Sequence, residues 1–192
     1  VARSKEFDPE IALEKALELF WERGYEGTSM ADLVERLGVA RASIYGTFGG
    51  KRELYLKALE LYLARRDVVG PLAQPGPVLP ALRAFLDGYV AECLADELRR
   101  GCMVVNTAVE FGSRDPVVSQ RVVESWAGLE TAVAAALVRA RAQGEIPEHK
   151  DPYALARFLL VLLQGIRVLG RADPDPRRLR AAVEEAMTAV QI

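Results

Sequence analysis

Thr28-Ser29-Met30-Ala31-Asp32-Leu33-Val34-Glu35-Arg36-Leu37-Gly38-Val39-Ala40-Arg41-Ala42-Ser43-Ile44-Tyr45-Gly46-Thr47-Phe48 reads as two short helices closed on each other by one tight turn. Ser29 is a helix cap, with Asp32 three places on in the acidic position of a capping box. Met30, Leu33 and Leu37 recur at helical spacing and give the first of the pair an inward stripe. Gly38 takes the turn, and a second helix follows from about Ala40 to Gly46. Val39, Ile44 and Phe48 complete a small core. About three residues, including a glycine, separate the two helices, as a helix-turn-helix requires.

Upstream, Asp8-Pro9 opens a preceding helix, with aspartate as cap and proline at the first helical position, where its missing N–H costs nothing. Ile11, Leu13, Ala16, Leu17 and Phe20 form its apolar stripe, and Gly24 stops it. Downstream, a longer helix runs from Lys51 to about Val69. Gly70 to Pro80, with four prolines and two glycines, reads as a loop. Helices are expected over Val78–Ala95, Gly101–Phe111 and Pro116–Gln143, the last ended by Gly144. Asp151-Pro152 and Asp175-Pro176 repeat the cap-then-proline signal for helices ending near Gly170 and Val190. No stretch alternates as a strand does, and the expected fold class is all-α.

Charge supports a function only locally. The 192 residues carry a net charge of -2, with 51% hydrophobic and 27% charged residues, an ordinary globular balance. Yet Arg36 to Arg52 contains Arg36, Arg41, Lys51 and Arg52 and neither Asp nor Glu. Electrostatic attraction to nucleic acid needs such a local excess, not a global one.

The motif pieces Thr28 to Leu33, Leu37 to Phe48 and Lys51-Arg52-Glu53-Leu54, in that order, resemble the DNA-binding signature of TetR-family bacterial regulators. The signature spans Gly24 to Leu54, about a sixth of the chain. The resemblance implies a helix-turn-helix DNA-binding domain over residues 1–50 and a helical effector-binding and dimerisation domain over 51–192. It also implies a homodimer whose two N-terminal domains enter successive major grooves of a pseudo-palindromic, double-stranded DNA operator.

Residue chemistry agrees with that role. Arg41, near the start of the second helix of the pair, can read guanine O6 and N7 through its donor fork, or touch phosphate alone. Ala42 offers a small apolar contact to a thymine methyl. Ser43 and Tyr45 can donate hydroxyl hydrogen bonds to phosphate, matching positions that often do so in the family; the Tyr45 ring could instead pack beneath the first helix, and both uses can coexist. Thr28 matches a frequent phosphate-contacting position, and Lys51 the family lysine just beyond the recognition helix. Thr47 stands where many relatives carry histidine, and Gly46 where they often carry a larger residue. Ala40 lacks the hydroxyl with which many members cap this helix.

Other chemistries find little support. Gly49-Gly50-Lys51 lacks the earlier glycine, the following Ser or Thr and the upstream strand of a phosphate loop. His149, the only histidine, sits in a polar loop and reads as a surface residue. Cys93 and Cys102 read as buried free thiols, not as a disulfide framework or metal site. No catalytic constellation is evident, and no metal or cofactor is expected. Val1 to Phe7 form no basic-then-apolar leader, and the apolar run Phe158–Leu163 is far short of the roughly 20 residues a membrane span needs. A cytoplasmic protein without membrane contact is therefore expected.

The segment Arg100 to Glu110 mixes polar and apolar residues and resembles a recurring segment in one group of these regulators. It reads either as a pocket wall or as a packed helix with an exposed glutamate. In the first case Phe85, Tyr89, Cys102, Met103, Asn106, Glu110 and Trp126 surround a small apolar or amphipathic effector, with Asn106 as polar anchor. Tyr153, Leu155, Ala156, Phe158, Leu159 and Leu162, then Leu179, Ala182, Val183 and Ala186, give the last two helices more apolar surface than a terminal helix should expose. Gly165 and Ala186 would permit close helix approach. The resemblance makes these helices a four-helix dimer interface. The expected function is ligand-responsive transcriptional regulation, most simply repression. A helical small-molecule-binding or scaffold protein without DNA-binding activity is the alternative.

Overall fold

The computed structural model describes residues 7–66 and 70–192. Residues 1–6, part of the Val1–Phe7 stretch expected not to be a leader, and 67–69, where the fourth helix is expected to end, lie outside the described residues. Among the described residues every regular element is a helix: α1 (Pro9–Arg23), α2 (Met30–Leu37), α3 (Arg41–Phe48), α4 (Lys51–Ala64) and the single turn α5 (Gly70–Ala73). There follow α6 (Val78–Ala95), α7 (Met103–Phe111), α8 (Pro116–Ala142), α9 (Pro152–Ala172) and α10 (Pro176–Gln191). The fourth helix stops at Ala64, before the expected Val69. The proline-rich stretch is not all loop, since α5 lies within it and α6 already begins at Val78.

The helix ends follow their local chemistry. Asp8, Asp151 and Asp175 each accept backbone N–H bonds in the first turn behind a proline. Ser29 Oγ accepts from Asp32 N at 3.1 Å, while Asp32 accepts from Ser29 N at 2.7 Å, closing the capping box. These contacts hold the Asp32 carboxyl below its usual range, the Ser29 hydroxyl being the largest cause. Ser29→Ala should therefore cost about 0.5–2 kcal/mol, read as a lower unfolding midpoint in urea with an unchanged slope. A change below 0.3 kcal/mol, well under that range, would make the capping box incidental. Ala40 provides no side-chain cap for α3, as its missing hydroxyl requires.

The chain forms two compact units, residues 1–66 with 106–119, and 67–105 with 120–192. In the first, α1 lies against α4 and α2, and α3 against α2 and α4. Ala12, Ala16, Leu17, Leu19 and Phe20 of α1 are buried with Leu33, Leu37, Ile44, Phe48, Leu54, Tyr55, Ala58, Leu59 and Tyr62. Ile11, expected in the α1 stripe, is 55% exposed; Ala12 and Leu19 face inward instead. The burial on α4 explains why this unit continues well past residue 50. Its aromatic cluster is completed from a distance: Tyr55 stands 5.0 Å from Phe20 and 5.1 Å from Phe111 by ring centroids, and its hydroxyl is 2.8 Å from Thr107 Oγ1.

In the second unit α6, α9 and α10 pack together, with Leu129, Val133 and Leu137 of α8 in the same core. Pro77 gives α6 no side-chain cap, and the Glu145 carboxylate accepts the Val78 and Leu79 N–H groups in its place, both at 2.8 Å. Close approach of α6 and α9 within the protomer occurs at Gly170. A Cβ on Gly170 would lie 2.6 Å from the Cβ of Cys93, whereas one on Gly165 would meet nothing. Cys93 is buried, but Cys102 is only half-buried.

The two last helices differ in how they spend their apolar surface. Leu179, Val183, Ala186, Met187 and Val190 of α10 are all buried within the protomer, leaving an outer face mostly of Arg, Glu and other polar residues with Ala181 among them. Helix α9 buries Ala156, Leu159, Leu163 and Ile166 and remains apolar on its opposite side. Its 21 residues are long and apolar enough to cross a membrane by length and composition, a property that counting uninterrupted apolar residues had concealed.

Candidate nucleic-acid interface

Helix α3 is anchored by Ile44 and Phe48, both buried, and presents its other side outward. Arg41, Ala42, Tyr45, Gly46 and Thr47 are exposed and Ser43 is half-exposed. At 47% exposure the Tyr45 ring is not packed beneath α1; the Arg41 guanidinium sits 5.8 Å from its centroid, one helical turn away. Helical spacing accounts for part of this division: Ala42, Ser43 and Gly46 fall on the arc opposite Ile44 and Phe48, whereas Arg41, three residues before Ile44, is exposed as the first residue of α3.

Charge on this face is narrower than the acid-free island suggested. Arg36 pairs with Glu18 at 3.6 Å, and Arg52 makes two parallel bonds to Asp115, 2.6 Å from Nε and 3.0 Å from Nη2. Those bonds hold the Asp115 carboxyl below its usual range. Among the described residues, Arg41 and Lys51 have no carboxylate partner. Helix α4 opens at Lys51 behind Gly50, whose φ of +147° suits glycine, and no side chain caps the first-turn amides. Lys51 Nζ lies 4.1 Å from the centroid of the Tyr25 ring.

Thr28 is placed differently from the expected phosphate contact. Its side chain is fully buried, its hydroxyl donates to Gly24 O at 2.7 Å, and its N–H donates to Tyr25 O at 3.2 Å. With both donors used in the turn between α1 and α2, Thr28 shapes that turn and faces no solvent.

Two family models cover most of the chain. Residues 12–58 match the one described as bacterial regulatory proteins, tetR family, and residues 78–187 the one described as Tetracyclin repressor-like, C-terminal domain. The chain belongs to the TetR family. An uncharacterized HTH-type transcriptional regulator of Bacillus subtilis, YezE, is 35% identical over 193 residues, covering 99% of this chain and all of that protein. The HTH-type transcriptional repressor ComR of Escherichia coli is 31% identical, covering 92% and 86% respectively. Among solved structures, the TetR-family regulator CifR, as a cysteine mutant complexed with 26-bp double-strand operator DNA, superposes with a TM-score of 0.85 at 31% identity. That match covers 97% of this chain and 99% of the CifR chain. As a TetR-family member the protein is a homodimeric, DNA-binding regulator of transcription and not an enzyme, which decides between the two functions that the sequence left open.

The residues expected around an effector divide between the units of this TetR-family chain. Phe85 and Tyr89 on α6 are nearly buried and 5.1 Å apart by centroids, Met103 is buried, and Cys102 and Trp126 are half-buried, all in the second unit. Asn106 and Glu110 belong to the first. The Glu110 carboxylate accepts the backbone N–H of Tyr25 at 2.8 Å and of Glu26 at 2.7 Å. No sequence signal singled out that pairing, nor a buried cation: Arg167, 4% exposed, lies 4.2 Å from the Tyr89 ring centroid and 2.5 Å from a Glu92 carboxylate oxygen.

Proposed function

We propose that the protein is a ligand-responsive repressor that sets α3 of each protomer into the major groove of a pseudo-palindromic operator. Arg41 reads a base edge, with Ala42 and Thr47 beside it, while Ser43, Tyr45 and Lys51 hold phosphates. The supporting observation is the exposed Arg41–Thr47 face on a helix pinned by Ile44 and Phe48. Arg41 and Lys51, without a carboxylate partner among the described residues, put positive charge where the phosphates would lie. At Lys51 the uncapped start of α4 adds backbone N–H groups to the ammonium.

Selection of bound fragments from the source genome, followed by fluorescence anisotropy across a salt series, tests this. Arg41→Ala should narrow the operator's advantage over a single-base variant by about 1–3 kcal/mol at the contacted pair. Lys51→Ala should weaken operator and unrelated DNA by similar factors and lower the salt slope by about one phosphate per half-site. If Arg41→Ala weakens every sequence equally, Arg41 holds phosphate; if neither substitution matters, α3 is not the reading face.

The dimer seat in this proposal is the outer side of α9. Ala154, Phe158, Val161, Gly165, Val168 and Ala172 are all exposed and follow one another at alternating steps of four and three. That is the seam spacing by which two helices pack along their length.

The effector in this proposal is a small apolar or amphipathic molecule held near Phe85, Tyr89, Met103 and Trp126. Trp126 supports it: its indole N–H is buried and without a hydrogen-bond partner among the described residues. A buried donor left so is costly, and a ligand acceptor would relieve it. In a Trp21→Phe background, an added compound that releases DNA should also change Trp126 emission; release with unchanged emission would remove Trp126 from the site.

A further inference from the structure

Lys51 does not reach its place by the geometry of α4 alone. Its ammonium lies over the face of Tyr25, and the ring and backbone N–H of Tyr25 are held in turn from α7 and from the core beneath it. The Tyr25 ring is 4.9 Å from Phe111 and 5.3 Å from Tyr55 by centroids. Its backbone N–H, together with that of Glu26, is held by the two oxygens of Glu110, 85 residues away in sequence. Gly24 permits the approach: it has a φ of +77°, and a Cβ there would stand 2.9 Å from a Glu110 oxygen. All of these residues lie in the first compact unit.

We propose that Tyr25 is a positioning residue for DNA binding: its ring holds the Lys51 ammonium at the start of α4, and Glu110 and Phe111 of α7 hold Tyr25. A flexible lysine loses rotamer freedom when it grips a phosphate, and a cation already seated on an aromatic face has lost part of it beforehand. The attraction is to the π face and not to the phenol, so phenylalanine replaces tyrosine here and leucine does not. Glu110 acts one step further back. Its two oxygens meet two N–H donors, whereas glutamine would bring one oxygen and one NH2 group and leave a donor facing a donor. The proposal rests on Lys51 being a phosphate contact.

Two readouts test it, with circular dichroism at 222 nm confirming that each variant folds. The first needs no DNA. The side-chain CH2 protons of Lys51 next to the ammonium should resonate upfield, shifted by the ring current of Tyr25. The shift should persist in Tyr25→Phe, vanish in Tyr25→Leu and shrink in Glu110→Gln. The second uses a fluorescein-labelled duplex carrying the selected operator. Tyr25→Leu should weaken binding about two- to five-fold per protomer, the worth of an exposed cation–π contact, while Tyr25→Phe binds as the parent does. In the Tyr25→Leu background, Lys51→Ala should cost less than it does in the parent. Should Tyr25→Leu fail to fold, Glu110→Gln carries the same comparison. A Lys51→Ala effect of undiminished size in either background overturns the proposal, as does a Lys51 shift that Tyr25→Leu leaves in place. Failure of the parent protein to bind the duplex is a different result: it removes the DNA reading itself.

Discussion

Replacing Val161 by glutamate should convert the protein into folded monomers with no measurable operator binding. Val161 lies mid-way along the outer seam of α9 and is 71% exposed in the protomer, so the substitution leaves the α6–α9–α10 core intact. In a two-fold dimer the change appears twice on the same surface, because each protomer uses the same patch. Two carboxylates then lose water within an apolar contact. Like charges brought together in an interface cost several kcal/mol, enough to raise the dimer dissociation constant roughly a thousand-fold or more. Sedimentation at micromolar concentration should give about one chain mass for Val161→Glu against two for the parent, with equal helicity. Operator binding should fall with dimerisation, since each half-site alone has only one domain to hold it. A variant that stays dimeric would place the interface elsewhere. Glu184→Ala on the outer face of α10 is the control, and should leave the dimer as it is.

Tyr55→Ala is expected to remove most of the stability of the DNA-binding unit. The side chain is 1% exposed and its ring lies 5.0–5.3 Å from those of Phe20, Tyr25 and Phe111. Emptying such a site costs about 3–5 kcal/mol, a large part of what holds a small domain folded. Urea unfolding followed by circular dichroism should show the loss, and DNA binding should fall in parallel. Tyr55→Phe keeps the ring and forgoes only the bond to Thr107, for about 1 kcal/mol. The pair also separates at high pH. Burial pushes the Tyr55 phenol well above its ordinary range. Below about pH 10 the phenol is neutral in both folded and unfolded chains, and its stabilising contribution is fully present. Above that the unfolded chain gives up the proton first, so stability declines as pH rises. Tyr55→Phe should flatten this alkaline decline; an unchanged decline would assign it to other groups.

What was legible in the sequence depended on distance along the chain. The helix starts at Asp8, Ser29, Asp151 and Asp175 were readable because a cap bonds to amides two or three residues ahead, and nothing elsewhere competes for them. Part of the outward face of α3 was readable for the same reason, since helical periodicity turns Ala42, Ser43 and Gly46 away from Ile44 and Phe48. Family membership was legible too, because the signature is itself a local string. Thr28 marks where this stops. Its hydroxyl could serve a phosphate or a carbonyl, and only the folded turn, with Gly24 O at 2.7 Å, decides.

The remaining decisions were tertiary. Arg36 to Arg52 looked like one basic island, but Asp115 and Glu18 take two of its four cations, leaving Arg41 and Lys51 without a carboxylate partner among the described residues. Glu110 looked equally fit for a pocket wall or for solvent; in the fold its carboxylate holds the Tyr25 and Glu26 N–H groups, and backbone partners have no letter in a sequence. The last two helices had similar apolar patterns, yet α10 spends its stripe inside the protomer while α9 keeps a second one outside. Composition and periodicity determine that a helix has an apolar face. Which face meets the protomer's own core and which meets a second chain depends on the position of every other helix, and that is set by packing across long sequence separations.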